Sequence, residues 1–288
     1  MIGPILTRRR TCLGAALLPL AGCSATDVAN ALTPGQGIQR EDGLAYGPHP
    51  RHLLDLHRPA ALAPTAPLLV FVHGGGWRDG GRGEYAFAAR PLAALGCLVA
   101  VPDNRLWPAA RYPDFVEDTA RAVRYLAARE PRRRLVLMGH SAGAFNAAAA
   151  SLDPRWGVQR HVGGFIGLAG PYDFAASEVN PPAIFAGLPR IMAAPERLLA
   201  GSTPPMLLLH GEADTIVGPY HSRIMAARAR QAGVPVRHVT YPGMGHLGVI
   251  AALASPARWL GIANWPVLEE VAAFMHAGEA APAQGGRI

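Results

Sequence analysis

The sequence predicts an α/β fold built on a mostly parallel, doubly wound sheet, with helices on both faces and a small cap. Two observations carry this. Short continuous apolar runs recur at 68–72, 97–101, 135–138, 164–169, 206–209 and 236–241, each bounded by Gly, Pro or charge, as strands buried on both faces are. Helix-length segments at 84–95, 115–129, 144–152, 222–231 and 267–276 lie among them, and such alternation is the mark of parallel strands joined by helical crossovers. In the second of these segments Phe115, Ala122, Val123, Leu126 and Ala127 fall near one helical face. Residues 53–56 are expected to add an antiparallel edge strand. The stretch 175–205, carrying Pro181-Pro182, Gly187, Pro189 and Pro204-Pro205, is the one long insertion.

Length and composition fit one catalytic domain at 51–277. The chain has 288 residues, 50% of them hydrophobic and 16% charged, which supplies a core and excludes disorder. Removing Arg8, Arg9 and Arg10 from the formal charge of +7 leaves +4, spread without a basic stripe. Arg132-Arg133-Arg134 is the remaining basic run and reads as a solvated approach to a strand, so no nucleic-acid partner is expected.

The first residues read as a signal peptide over 1–22. Three arginines precede the apolar stretch 12–20, which is too short for a permanent membrane span, and small residues follow. Leu20-Ala21-Gly22-Cys23 resembles a bacterial lipobox, in which the cysteine becomes the acylated N-terminus, and Arg9-Arg10 with Leu13 resemble a loose twin-arginine signal. An exported protein, lipid-anchored in the cell envelope at Cys23, is therefore expected. Residues 23–50 read as a tether and 278–288 as a frayed tail. With Cys12 removed and Cys23 acylated, Cys97 alone is left. It reads as a small buried hydrophobe, without metal-ligand spacing around it.

The chemistry is carried by Gly139-His140-Ser141-Ala142-Gly143, which follows a strand and opens a run of small helix formers. A sharp strand-turn-helix of this kind strains the serine and lifts its hydroxyl above the sheet, and the flanking glycines remove side chains that would collide there. A second glycine run, His73-Gly74-Gly75-Gly76-Trp77, closes the strand at 68–72. These motifs, in this order and each at a strand end, resemble the α/β-hydrolase superfamily, and in particular its esterases with an HGGG oxyanion loop. The resemblance covers roughly 53–277, and it implies a small cap at the insertion 175–205, where related esterases carry one.

In that superfamily the order is Ser, acid, His, because a serine hydroxyl needs an imidazole to take its proton and the imidazole needs a buried carboxylate to fix its tautomer. The loop His210-Gly211-Glu212-Ala213-Asp214 resembles the family's acid loop, which makes Asp214 the expected acid and Glu212 the alternative. Among the histidines downstream, His221, His238, His246 and His276, His246 follows a strand in a glycine-flanked loop. Ser141, Asp214 and His246 are the expected catalytic residues. The Ala142 N–H, next to the nucleophile, is one expected oxyanion donor, and by resemblance Gly75 and Gly76 supply the others. His73 is expected to brace this loop, and Trp77 to line the substrate pocket or to pack. Asp103 and Asp118 read as ion-pair partners, and Asn104 departs from the Asp-Tyr-Arg-Leu that many HGGG esterases carry.

The resemblance implies a cofactor-free, metal-free serine hydrolase acting on small or aromatic carboxylic esters. An arylformamidase-type amide hydrolase and a catalytically silent binding protein are the alternatives. Peptidase chemistry is not expected, because no propeller or other large gating domain accompanies the motifs.

Overall fold

The apolar runs become strands of one eight-stranded sheet: β1 (Ile38–Ala45), β2 (Leu53–Pro59), β3 (Leu68–Val72), β4 (Leu98–Pro102), β5 (Leu135–His140), β6 (Val162–Leu168), β7 (Met206–Gly211) and β8 (Val236–Tyr241). Their order across the sheet is β1-β2-β4-β3-β5-β6-β7-β8. All pairs from β4 to β8 are parallel, and β2 is antiparallel to both neighbours. The computed structural model describes residues 24–175, 178–186 and 194–277; the leader at 1–22, Cys23 and the tail at 278–288 lie outside the described residues.

Strand alternation divides the core into two layers. On β3, Leu68, Val70 and Val72 face the layer that holds α3 (Asp114–Arg129) and α4 (Ala142–Leu152), while Leu69 and Phe71 face α2 (Ala86–Ala93) and α8 (Val267–Ala277). Helix α5 (Tyr220–Gln231) adds Met225, Ala226 and Ala229 to the first layer. Every residue of α4 is buried, which its run of Ala, Gly and one Ser allows by close approach to the sheet. Cys97 lies at the start of β4, its thiol pushed up to about 12 by burial and donating to Leu92 O at 3.1 Å, in keeping with an inert core residue.

The segment 23–50 differs from its sequence reading as a tether. Ser24 caps α1 (Ala25–Leu32), and β1 forms the sheet edge beyond β2, so residues 53–56 are not the edge either. The sequence hides β1 because an edge strand at the sheet margin needs no continuous apolar run. Its residues Ile-Gln-Arg-Glu-Asp-Gly-Leu-Ala are mostly polar, and Arg40 is held instead by an ion pair with Asp55 on β2 at 2.8 Å. Helix α1 is fastened to the body by Asn30, which donates to Gly83 O and Glu84 O and accepts from Phe87 N at 2.7 Å, and by Arg90, which donates to Asn30 O and Thr33 O.

The insertion after β6 lies over the carboxyl ends of the strands. Its described parts are short 3₁₀ turns at Pro182–Phe185 and Pro195–Leu198; residues 176–177 and 187–193 lie outside the description. Ile184 and Phe185 are fully buried, and Tyr112 N donates to Ile184 O at 2.9 Å, so this part packs as core. Glu196 is buried as well, its carboxylate without a hydrogen-bond partner and 3.4 and 3.7 Å from the Arg197 and Arg228 guanidinium groups. Burial and the charge of Asp173 outweigh those cations and push it up to about 7. Its folded state therefore holds a proton more tightly than the unfolded chain, so its contribution to stability is present below about 4.5 and is lost as pH rises through about 7. The expected result is that Glu196→Gln raises the melting temperature at pH 8 and leaves it nearly unchanged at pH 4.5, read by differential scanning calorimetry.

Candidate active site

Ser141 sits between β5 and α4 with φ 54° and ψ −125°, a backbone conformation that a residue with a Cβ adopts only when its surroundings enforce it. The enforcement comes from two close approaches. A Cβ on Gly139 would lie 2.3 Å from Gly143 O, and a Cβ on Gly143 would lie 2.2 Å from Val72 O and 2.3 Å from His73 O. Helix and strand are thus pressed together at the turn, and the serine hydroxyl is left facing outward.

The structure brings Ser141, His246 and Asp214 together. The Ser141 hydroxyl donates to His246 Nε2 at 2.9 Å, and His246 Nδ1–H donates to Asp214 Oδ2 at 2.7 Å. Asp214 Oδ1 accepts the N–H groups of Ile216 and Val217, each at 2.9 Å, a turn that fixes the carboxylate after β7. Burial opposes its charge, but hydrogen bonds from His210, His246 and the Val217 N–H outweigh that and hold the carboxyl well below the usual carboxylate range. Glu212, the alternative acid, instead accepts from the Thr240 hydroxyl at 2.8 Å at the surface.

Two histidines that the sequence reading left without a role support this group. His210 lies four residues before Asp214 with its Nε2–H on Val217 O at 2.8 Å and 3.2 Å from Asp214 Oδ2, while the Ser222 hydroxyl donates to its Nδ1 at 2.6 Å. His140, inside the serine motif, donates through Nε2 to His246 O at 3.3 Å and lies 5.0 Å from the His246 ring. Burial and the neighbouring His246 push His140 down to about 3, so it is a neutral brace. Its position immediately before Ser141 is the signal available in the sequence.

The glycine run forms the opposite wall. Gly75 has φ 118°, its carbonyl accepts from Arg78 N and Asp79 N, and a Cβ there would lie 2.0 Å from Asp79 O, so glycine is required for the turn. Gly76 and Ala142 border the same cavity as Ser141. His73 braces the loop, as expected, donating from Nδ1 to Gly74 O at 2.7 Å and stacking on Tyr85. Asp103 and Asp118 are ion-pair partners, Asp103 of Arg82 and Asp118 of Arg105, and His52 Nε2 lies 2.8 Å from Asp118 Oδ1.

The cavity at Ser141 has a volume of about 230 Å³. Trp77 both lines it and packs: its ring is 7% exposed, lies 4.9 Å from Phe185, and its indole N–H donates to Asn146 Oδ1 at 3.0 Å. Asn146 is the lone amide in an otherwise apolar stretch of α4, a signal that it needed a buried partner. Phe174, Ile216 and Tyr220 complete the apolar wall, and Glu178 and His221 give it a polar side. His221 accepts from Asp173 N at 3.3 Å and is pushed down to about 4 by burial and by His210.

The sheet order, the strained serine on a strand-to-helix turn and the two loops that meet it define the α/β-hydrolase superfamily. Residues 113–265, more than half of the chain, match the sequence model of the prolyl oligopeptidase family, and the chain belongs to that family. Residues 54–166 match a second model, described as BD-FAE. Esterase LipC of Mycobacterium tuberculosis is 30% identical over 253 residues, covering 76% of this chain and 62% of its own. A probable isoprenylcysteine alpha-carbonyl methylesterase ICME of Oryza sativa subsp. japonica is 27% identical over 270 residues, covering 82% and 63%. The chain thus spans about three fifths of the length of these curated relatives. Among solved structures, a truncated form of a carbohydrate esterase from gut microbiota superposes with a TM-score of 0.72 at 18% identity, over 86% of this chain and all of that one. A hormone-sensitive lipase from a metagenome library gives 0.70 at 19%, over 88% and 89%.

Gly143→Ala is expected to lower stability by about 3 kcal/mol or more, because the added methyl meets backbone that cannot rotate away. Urea unfolding checks it. A loss below about 1 kcal/mol would contradict the close approach of α4 to β3.

Proposed function

We propose that this chain is a serine hydrolase that cleaves small or aromatic carboxylic esters through an acyl-enzyme, with Ser141 as nucleophile, His246 as general base and acid, and Asp214 as its orienting carboxylate. The observation that carries the reading is the unbroken relay of 2.9 Å and 2.7 Å behind a serine held at φ 54°. As Ser141 Oγ attacks the ester carbonyl, its proton passes to His246 Nε2, and the imidazolium is stabilised by Asp214 on Nδ1. The carbonyl oxygen becomes an oxyanion facing the N–H groups of Ala142, Gly76 and Gly75. Collapse of the tetrahedral intermediate returns the proton from Nε2 to the departing alkoxide. Water then repeats the sequence and frees the acid. Each oxyanion donor is worth about 3 kcal/mol of barrier in such sites.

The cavity supports the substrate class. At about 230 Å³ it falls short of the roughly 300 Å³ and more of pockets that take drug-sized ligands. Trp77 and Phe174 on its wall suit a short or flat acyl group. The relatives named as esterases support ester chemistry in general. A panel of p-nitrophenyl esters is expected to give the highest kcat/KM between acetate and hexanoate and little turnover of palmitate. Strong palmitate turnover with activation by an oil-water interface would overturn the size argument.

Ser141→Ala and His246→Ala are each expected to lower kcat by about 10⁴ to 10⁶, since either removes the nucleophile-base unit. Asp214→Asn should lose a similar or somewhat smaller factor through the wrong tautomer, and Glu212→Gln far less. A Glu212→Gln loss exceeding that of Asp214→Asn, in a folded protein, would reassign the acid.

We also propose Cys23 as the acylated N-terminus of an exported, envelope-anchored protein. The support is the lipobox Leu20-Ala21-Gly22-Cys23 behind an apolar stretch with arginines ahead of it. Each buried methylene of an acyl chain adds about 0.8 kcal/mol, so two or three chains anchor firmly. Cells grown with labelled palmitate should label the wild type and not Cys23→Ser. Unlabelled wild-type protein found wholly in the soluble fraction would refute the anchor and leave the hydrolase reading intact.

A further inference from the structure

The large apolar side chains left exposed among the described residues fall into two groups. Ile216 and Tyr220 line the cavity and Leu247 follows His246, so the proposed active site accounts for them. Val28, Leu32, Trp259, Leu260 and Ile262 lie elsewhere, on α1 and at the end of α7 (Ser255–Trp259), two helices that pack against each other. Val28 and Leu32 are four residues apart and share one face of α1. Trp259, Leu260 and Ile262 are 67%, 70% and 67% exposed, in a Trp-Leu-Gly-Ile tip where Gly261 turns the chain at φ 69°. The tip is held out rather than frayed, because Ser255 and Pro256 before it and Ala263 after it are buried. Arg258 is the sole charged residue between Ser255 and Pro266. Single exposed apolar residues need no explanation, whereas adjoining ones that include an amphipathic ring mark a contact surface.

The position of Cys23 identifies the contact. Ser24, the very next residue, caps α1 by accepting from Asp27 N, while the Asp27 carboxylate accepts from Ser24 N. Asn30 and Arg90 then lock α1 to the body. An acyl group on Cys23 would therefore be attached with no slack, and α1 must lie at the membrane surface that the acyl chains enter. We infer that the outer face of α1 and the tip of α7 are a membrane-docking surface, seated in the interfacial layer of the bilayer that holds Cys23. The inference rests on the reading of Cys23 as the anchor. Trp is suited to that layer, with an apolar ring and a polar N–H. Because the anchor makes docking intramolecular, a small apolar face suffices to set orientation.

The test uses the full chain purified from membranes and reconstituted in phosphatidylethanolamine and phosphatidylglycerol vesicles, with or without phosphatidylcholine brominated near its headgroup. Bromine quenches nearby tryptophan, and residues 1–23 contain none, so the signal reports the domain and not the leader. Quenching is expected in the wild type, reduced by more than half in Trp259→Phe and abolished in a triple variant carrying Trp259→Asp, Leu260→Asp and Ile262→Asp. An unquenched wild type, or a triple variant quenched like the wild type, overturns the inference. So does an unquenched protein that sediments as a dimer which the triple variant dissociates, since a second copy would then cover the face. Turnover of p-nitrophenyl acetate is expected to be unchanged in these variants, which verifies folding. Turnover in the wild type and palmitate labelling read the hydrolase and anchor proposals separately.

Discussion

The site depends on how closely α4 approaches the sheet. With Gly143 against Val72 O and His73 O, and Gly139 against Gly143 O, there is no room for the turn to relax, so Ser141 stays in a conformation it would otherwise abandon. Strain of this kind amounts to about 1–3 kcal/mol and persists only where packing over-determines it. That packing is supplied by a helix whose every residue is buried and whose side chains are mostly methyl groups. The same contact brings the His73 to Trp77 loop to the serine. A Cβ on Gly74 would lie 3.3 Å from the Cβ of Ser141, so Ser141 and the His73 to Trp77 loop are positioned by one interface rather than two.

The acid loop solves a second problem, which is to keep a buried carboxylate charged without giving it a cation of its own. Asp214 is satisfied by two backbone N–H groups on one oxygen and by imidazole N–H groups on the other. Had an arginine filled this role, the carboxylate would be neutralised before the reaction and would have less to offer an imidazolium at His246. The orientation of His210 is set by Ser222 and Val217 rather than by Asp214 itself.

Much of this was legible in the sequence because the governing patterns are local. Continuous apolar runs marked β3 to β8, and the turn glycines around Ser141, together with the glycine run after β3 and the resemblance the two carry, pointed to Ser141. The parts that were not legible are those whose stabilisation comes from distant residues. Strand β1 is polar and is held by ladder bonds to β2 and by Arg40 with Asp55; α1 has no buried residue and is fixed by Asn30 and Arg90. Strand β1 has no continuous apolar run, and the apolar residues that α1 does repeat, Val28 and Leu32, face outward rather than into a core, so the segment reads as a tether. His140 and His210 escaped for a related reason. A histidine announces no role in one dimension, since the same residue serves as base, brace or packing unit according to what its two nitrogens meet.

The three histidines at the site illustrate that division. His246 faces both a hydroxyl and a carboxylate, so proton transfer through it leaves no buried charge unpaired. His140, its ring 5.0 Å from that of His246 and tilted against it, touches no carboxylate and is pushed down to about 3, so it stays neutral through the neutral pH range. That neutrality matters for the chemistry. A second cation at that distance would oppose the imidazolium that forms on His246, by roughly 3 kcal/mol at an effective dielectric constant of 20. In the proposed mechanism, burial that keeps His140 uncharged thus removes a penalty from the transition state, while its N–H still holds the His246 backbone in place. Placing the brace in the x position of the serine motif sets the residue before Ser141 directly against the backbone of His246.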